Sequence, residues 1–177
     1  MTTADFHAQA HSMTRLDIST GMPFDQFRAA FEKAAPAFDP ATTLRILDEG
    51  GSWDDVVVAA AANAPNGLMI YATIDLTLVE PLAGYRIGAV EYLLGNHVIA
   101  ETMFRHDRKA LLYAPLRILL HEDADGNAIF TLDQPSTAFG SLGNDHITDV
   151  GRGLDQKVAA LLQIIGVDAD EALGATN

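Results

Sequence analysis

Between Gly84 and Glu122 the sequence GYRIGAVEYLLGNHVIAETMFRHDRKALLYAPLRILLHE passes from strand to helix cap, helix, connector and second strand without a break. Tyr85 to Leu94 is apolar on both faces and reads as a central strand. Gly95-Asn96 stops it, and Asn96 suits the N-cap of a helix over His97 to His106. Ile99, Ala100, Met103 and Phe104 form the apolar stripe of that helix. Asp107 to Ala114 is a connector, and Leu116 to Glu122 is a strand with Leu116, Ile118 and Leu120 inward. Asp123-Ala124-Asp125-Gly126 then turns the chain back into Asn127 to Leu132, because Asp-Gly favours a tight hairpin. One antiparallel pair is thereby required.

The rest of the chain supplies layers for this unit. Arg15 to Ser19 reads as a short strand, and Pro23 suits the first turn of a helix. Phe24, Phe27, Ala30, Phe31 and Ala34 recur at helical spacing, so a helix is expected from Phe24 to Ala35. Thr42 to Glu49 forms a short helix, closed by Gly50-Gly51. Ser52 and Asp55 make a capping-box start for a helix over Trp53 to Asn63. Leu68 to Val79 alternates, with Ile70, Ala72, Ile74, Leu76 and Leu78 on a buried face and Tyr71, Thr73, Asp75 and Thr77 on a polar one. Gln134 to Asn144 reads as loop. Ile147 to Ile165 is the last helix; Gly151 and Gly153 each weaken it by about 1 kcal/mol relative to Ala. The expected architecture is α+β: a two-layer sandwich with a mixed or antiparallel sheet of about five strands and helices on one face. Residues 1–12 form a flexible tail, 13–167 a single domain, and 168–177 a second flexible, acidic tail.

Composition narrows the function classes. Lys and Arg total 11 against 24 Asp and Glu, a formal net charge of -13. Phosphate recognition rests on clustered Lys and Arg, so a nucleic-acid partner is not expected. Docking on an anionic membrane is disfavoured for the same reason. No apolar run approaches the roughly 20 residues of a membrane span. The first residues, MTTADFHAQAHSM, carry no basic n-region and no apolar h-region, so a secretory signal is not expected in them. The chain has no cysteine, which excludes disulfides, thiolate nucleophiles and Cys-held metals and suits a cytoplasmic protein.

Tyr85-Arg86-Ile87, Gly95-Asn96, Ala100, His106-Asp107, Leu111-Leu112, Pro115 and the Asp125-Gly126 hairpin follow one another in an order that resembles the domain-of-unknown-function family 302. Pro23 to Ala35 resembles that family's early Phe-containing helix. His97 stands where the family often has Pro. The resemblance implies a small two-layer α+β protein that tends to dimerise. No general activity, cofactor or catalytic residue comes with it.

Several side chains are candidates for chemistry. His97 and Glu101 lie four apart, so they form either an acid–base pair or an ordinary helix surface in which Glu101 pairs with Arg105. They are too few for a zinc site, which takes at least three protein ligands. Glu91 stands among apolar residues of a central strand. It is either a buried acid or base, or the partner of Arg86 or Arg117. Arg117 and His121 fall on the face opposite Leu116, Ile118 and Leu120, where Arg117 can clamp an anion. If the strands are neighbours in one sheet, Arg117 and His121 are expected to converge with Tyr71, Thr73 and Asp75 near Glu91. The expectation is therefore a homodimer that binds a small organic ligand between sheet and helices. Glu91, His97 and Glu101 are its candidate catalytic residues, and Tyr113, Arg117 and His121 its ligand contacts. A cofactor-free lyase, isomerase or hydrolase is the alternative. A haem or metal protein, using His106, His121 or His146, is another.

Overall fold

The computed structural model describes residues 2–174. Within them the chain runs β1 (Arg15–Pro23), α1 (Phe24–Ala34), α2 (Pro40–Asp48), α3 (Trp53–Asn63), β2 (Met69–Asp75), β3 (Ala89–Gly95), α4 (His97–Phe104), β4 (Leu116–Glu122), β5 (Asn127–Asp133), α5 (Pro135–Gly140) and α6 (Asp145–Ile165). The strands form one sheet in the order β1-β5-β4-β3-β2, antiparallel at every pairing. The α+β architecture read from the sequence is present.

Alternation divides the sheet into two faces. Ile18, Val90, Tyr92, Leu94, Ile118, Leu120, Phe130 and Leu132 point to one side and meet α1, α4, α5 and α6 in the main core. Phe31 of α1 lies edge-on to Tyr92 and Phe130, with ring centroids 5.1 and 5.7 Å apart. The Tyr92 hydroxyl donates to Glu32 Oε1 at 2.7 Å, and Arg28 ties Glu32 to Asp75 at 3.0 and 2.8 Å. Burial and the Glu32 carboxylate push the Tyr92 hydroxyl well above its usual range, so it holds its proton. A smaller cluster of Ala60, Ala64 and Met69 packs α3 at the β2 edge.

Four expectations are corrected. The alternation of β2 does not put Ile70, Ala72, Ile74, Leu76 and Leu78 on one buried face. A bulge at Tyr71 shifts the register between Ile70 and Ala72. Beyond it Ile74 is 49% exposed, opposite Glu91, while Thr73 and Asp75 turn to the helix side, opposite Tyr92 and Val90. The strand then ends in two short 3-10 turns, Leu76–Leu78 and Glu80–Ala83. The next strand starts at Ala89 rather than Tyr85. Carboxylates of Glu80 and Glu122 accept the Ile87 and Gly88 N–H groups that a strand partner would otherwise take. Part of the loop after β5 is helix α5, whose Ser136 N–H is accepted by the buried Asp155 of α6 at 3.0 Å. The packed body continues past 167. Gly166, at φ 96°, reverses the chain so that Ala169 and Leu173 enter the core. Residues 175–177 of the expected tail lie outside the described residues.

The two glycines of α6 have different surroundings. A Cβ on Gly151 would stand 3.0 Å from Ser136 Cα and 3.1 Å from Phe139 Cβ, whereas one on Gly153 would meet nothing within 4 Å. Gly151→Ala is expected to lower unfolding free energy by roughly 1–3 kcal/mol through overpacking. Gly153→Ala should raise it by up to about 1 kcal/mol. Urea titrations of both variants check this, and equal effects would contradict the close α5–α6 approach.

Candidate functional site

Asn96 fixes the start of α4. Its Oδ1 accepts the Val98 N–H at 2.9 Å and its Nδ2 donates to Gly67 O at 3.0 Å, so both ends of the amide are occupied. His97 follows as the first helical residue. Its backbone N–H donates to Tyr71 Oη at 2.8 Å, and its Nδ1 lies 2.7 Å from the same oxygen. Tyr71 Oη accepts the backbone N–H and has its own proton to give to Nδ1, the pairing that suits a neutral imidazole. That leaves the hydrogen of the neutral imidazole on Nε2. Burial holds His97 below its ordinary value of 6.5, which favours this neutral form, and it raises the Tyr71 hydroxyl. Phe38 stacks on Tyr71 at 4.8 Å and stands edge-on to His97 at 5.5 Å, closing the cluster.

The bulge produces this arrangement. Ile70 bonds to the α1–α2 linker, through its N–H to Pro36 O and from Phe38 N–H to its carbonyl. Tyr71 is left as the extra residue and its ring reaches the α4 N-terminus. Beside it a hollow of about 210 Å³ opens between α4 and the ends of β3 and β4. Its walls are almost wholly apolar: Leu94, Ile99, Ala100, Met103 and Leu116, with Pro115 and Leu154 of α6. His97 also lines a second hollow of about 330 Å³ with Phe38, Asp39, Thr42 and Asn63, and so stands in the wall between the two. Among the described residues no hydrogen bond ends on His97 Nε2. The site offers a donor in an apolar setting, with no carboxylate in the wall of the 210 Å³ hollow.

The other candidates lie elsewhere. Glu101 is tied to Arg105, with Nε to Oε1 at 2.9 Å, and does not meet His97. Glu91 is on the sheet face away from the helices, 3.5 Å from Arg117, whose side chain is 81% exposed. The two share a depression of about 390 Å³ with Arg15, Ile74, Leu119 and Thr131. His121 is on the same face, its Nε2 3.3 Å from Thr131 Oγ1, which donates to Asp17 at 2.6 Å. Tyr113 packs edge-on against Phe139 and lies 3.1 Å from His11 Nε2. It meets Arg117 only across a small hollow of about 80 Å³. Thr73 and Asp75 are on the opposite sheet face, so the expected convergence on Glu91 does not occur. Tyr71 was visible in the sequence as a polar-face residue. Its partner lies 26 positions away, and nothing local in the sequence joins them.

A five-stranded antiparallel sheet, helices over one face and an apolar hollow at the α4 N-terminus define a small α+β sandwich. The profile of the family described as domain of unknown function DUF302 matches residues 51–165, more than half of the chain, and the protein belongs to that family. The fold is also that of the crystal structure of an uncharacterized conserved DUF302 protein from Bacillus stearothermophilus. The two are 12% identical with a TM-score of 0.57, over 86% of this chain and 97% of the other. No curated protein matches the sequence.

The Tyr71–His97 pair makes a spectroscopic prediction. Long-range 1H–15N spectra at neutral pH should show His97 as the Nε2–H tautomer, and Tyr71→Phe should abolish that preference. The folded imidazole titrates below its unfolded value of 6.5. The stability it contributes is therefore full above about 6.5 and is lost as pH falls through the folded value. A His97 midpoint at or above the ordinary one would refute the assignment.

Proposed function

We propose that the protein binds a small, largely apolar organic ligand in the hollow beneath α4, with His97 as its polar contact. The observation that carries this reading is an apolar recess beside one imidazole whose tautomer a tyrosine sets. Pockets for drug-sized ligands span about 300–1,000 Å³. At about 210 Å³ the recess suits something smaller, with one hydrogen-bond acceptor to meet Nε2–H. An acid–base activity in this recess would draw on His97, since Glu101 is engaged by Arg105 and Glu91 faces away. Placement in the cytoplasm rests on the cysteine-free sequence. No described helix is long and apolar enough to cross a membrane.

A thermal-shift screen of small phenols, aldehydes, ketones and carboxylic acids tests the reading, because a ligand that binds the native state raises Tm. Ala100→Leu fills the recess with a good helix former and should remove the shift while the fold persists. His97→Ala should weaken acceptor-bearing ligands more than purely apolar ones. Ligand shifts that survive Ala100→Leu unchanged would sink the proposal.

A second copy of the chain is the partner that the open sheet face favours. Ile74, Glu91, Leu119, Thr131 and Asp17 form one row across all five strands, with Leu93 and Ile129 in flanking rows. A two-fold interface sets a patch against itself, so it must be nearly neutral. This face carries Arg15 and Arg117 against Asp17, Glu91 and Asp133, a net of -1 on a chain of -13. Strand spacing and rise give it roughly 550 Å² of flat area, short of the ~800 Å² that a stable partner surface needs. Exposed Leu76, which lines the same depression as Glu91 and Leu119, extends the apolar area. Sedimentation should find a dimer, and Leu119→Arg a folded monomer. An unchanged sedimentation coefficient in that variant would rule out this face.

A further inference from the structure

Two of the six histidines come together at a place the ligand site does not use. His106 follows the C-terminal end of α4, where its N–H donates to Met103 O at 2.9 Å. His146 is the second residue of α6. Their rings lie 4.6 Å apart between centroids and are tilted by 56°, and both residues are exposed. Among the described residues neither imidazole has a hydrogen-bond or ion-pair partner, in contrast to His11, His97 and His121, each of which contacts a polar atom. Two rings from separate elements are held in contact with their polar atoms unassigned.

We infer that His106 and His146 form a two-imidazole site for a late first-row divalent cation, with Cu2+ bound most tightly. With metal–nitrogen bonds of about 2.0–2.1 Å, two imidazoles bound cis to one ion hold their ring centroids roughly 4.5–5.2 Å apart. The observed separation falls inside that window, and the tilt is not that of a face-to-face stack. Imidazole suits Zn, Ni and Cu, and affinity among these ions peaks at Cu2+. Around the pair, Arg105 is matched by Glu101 and Lys109 by Asp107, while Arg108 follows His106 and Asp145 precedes His146. No group of three His, Asp or Glu side chains with metal-site geometry occurs among the described residues. The pair therefore supplies two ligands, and water or an added donor completes the shell. The ion would link the end of α4 to the start of α6, the two helices whose Met103 and Leu154 line the apolar recess.

Titration of the full chain with Cu2+, followed by electron paramagnetic resonance and calorimetry, tests this. One Cu2+ per chain with two-nitrogen hyperfine structure is expected, with Zn2+ weaker. Losing an outer-shell partner already costs a metal site about 10–100-fold in affinity. His106→Ala and His146→Ala should each therefore weaken Cu2+ binding at least about tenfold. Both positions are exposed, so both variants should melt like the parent in chelator. His121→Ala and a double His7→Ala/His11→Ala variant should bind as the parent does. The inference is overturned if no Cu2+ binds, if both single variants keep parental affinity, or if binding disappears only with His7 and His11.

Discussion

A single extra residue in β2 determines much of this molecule. Opposite β3, Ile70 pairs with Leu94 and Ala72 with Leu93, so Tyr71 has no partner and the strand changes face across it. Three consequences follow from that one displacement. Tyr71 swings to the α4 N-terminus and meets His97 at both its backbone N–H and its Nδ1. Asp75 reaches the helix side, where Arg28 holds it against Glu32 and Tyr92. Ile74 passes to the open face and joins the row that contains Glu91 and Leu119. The bulge is held from outside the sheet by the Pro36–Phe38 segment, which bonds to Ile70 on both its N–H and C=O. The α1–α2 linker thus governs the site as much as the strand does.

Much of the fold was legible because its signals are local. The Phe spacing of α1, the Ser52–Asp55 capping box, the Asn96 cap, the inward triplet of β4 and the Asp-Gly hairpin each need only a few neighbouring residues, and each is present. The bulge leaves no such mark. Alternation in the sequence is unbroken from Ile70 to Ile74, and only pairing with β3 reveals the change of face. Helix α5 is six residues long, too short to develop a period, and its N-terminus is capped by Asp155 from another helix. The sequence marked His97 through its proximity to Glu101. The partner that sets its chemistry is Tyr71, from a different strand.

The arrangement of charge reflects the same separation of local and distant effects. Glu101 and Arg105 pair within one turn of α4, as spacing alone suggests. Glu91 and Arg117 pair between strands on an exposed surface, where an ion pair adds at most about 1 kcal/mol. The central-strand acid is therefore a surface group, and the polar pair beside the apolar hollow is a phenol and an imidazole.

The span matched by the family, residues 51–165, leaves out β1, α1 and residues 167–173, all of which pack into the same body. Cutting there would strip β1 from the β5 edge and remove the phenylalanines of α1 from beneath Tyr92 and Phe130. At the other end it would take away Val167, Ala169 and Leu173, which plug the interior after the turn at Gly166. Anyone trimming or tagging this protein should keep β1 at the front and everything through Leu173 at the back.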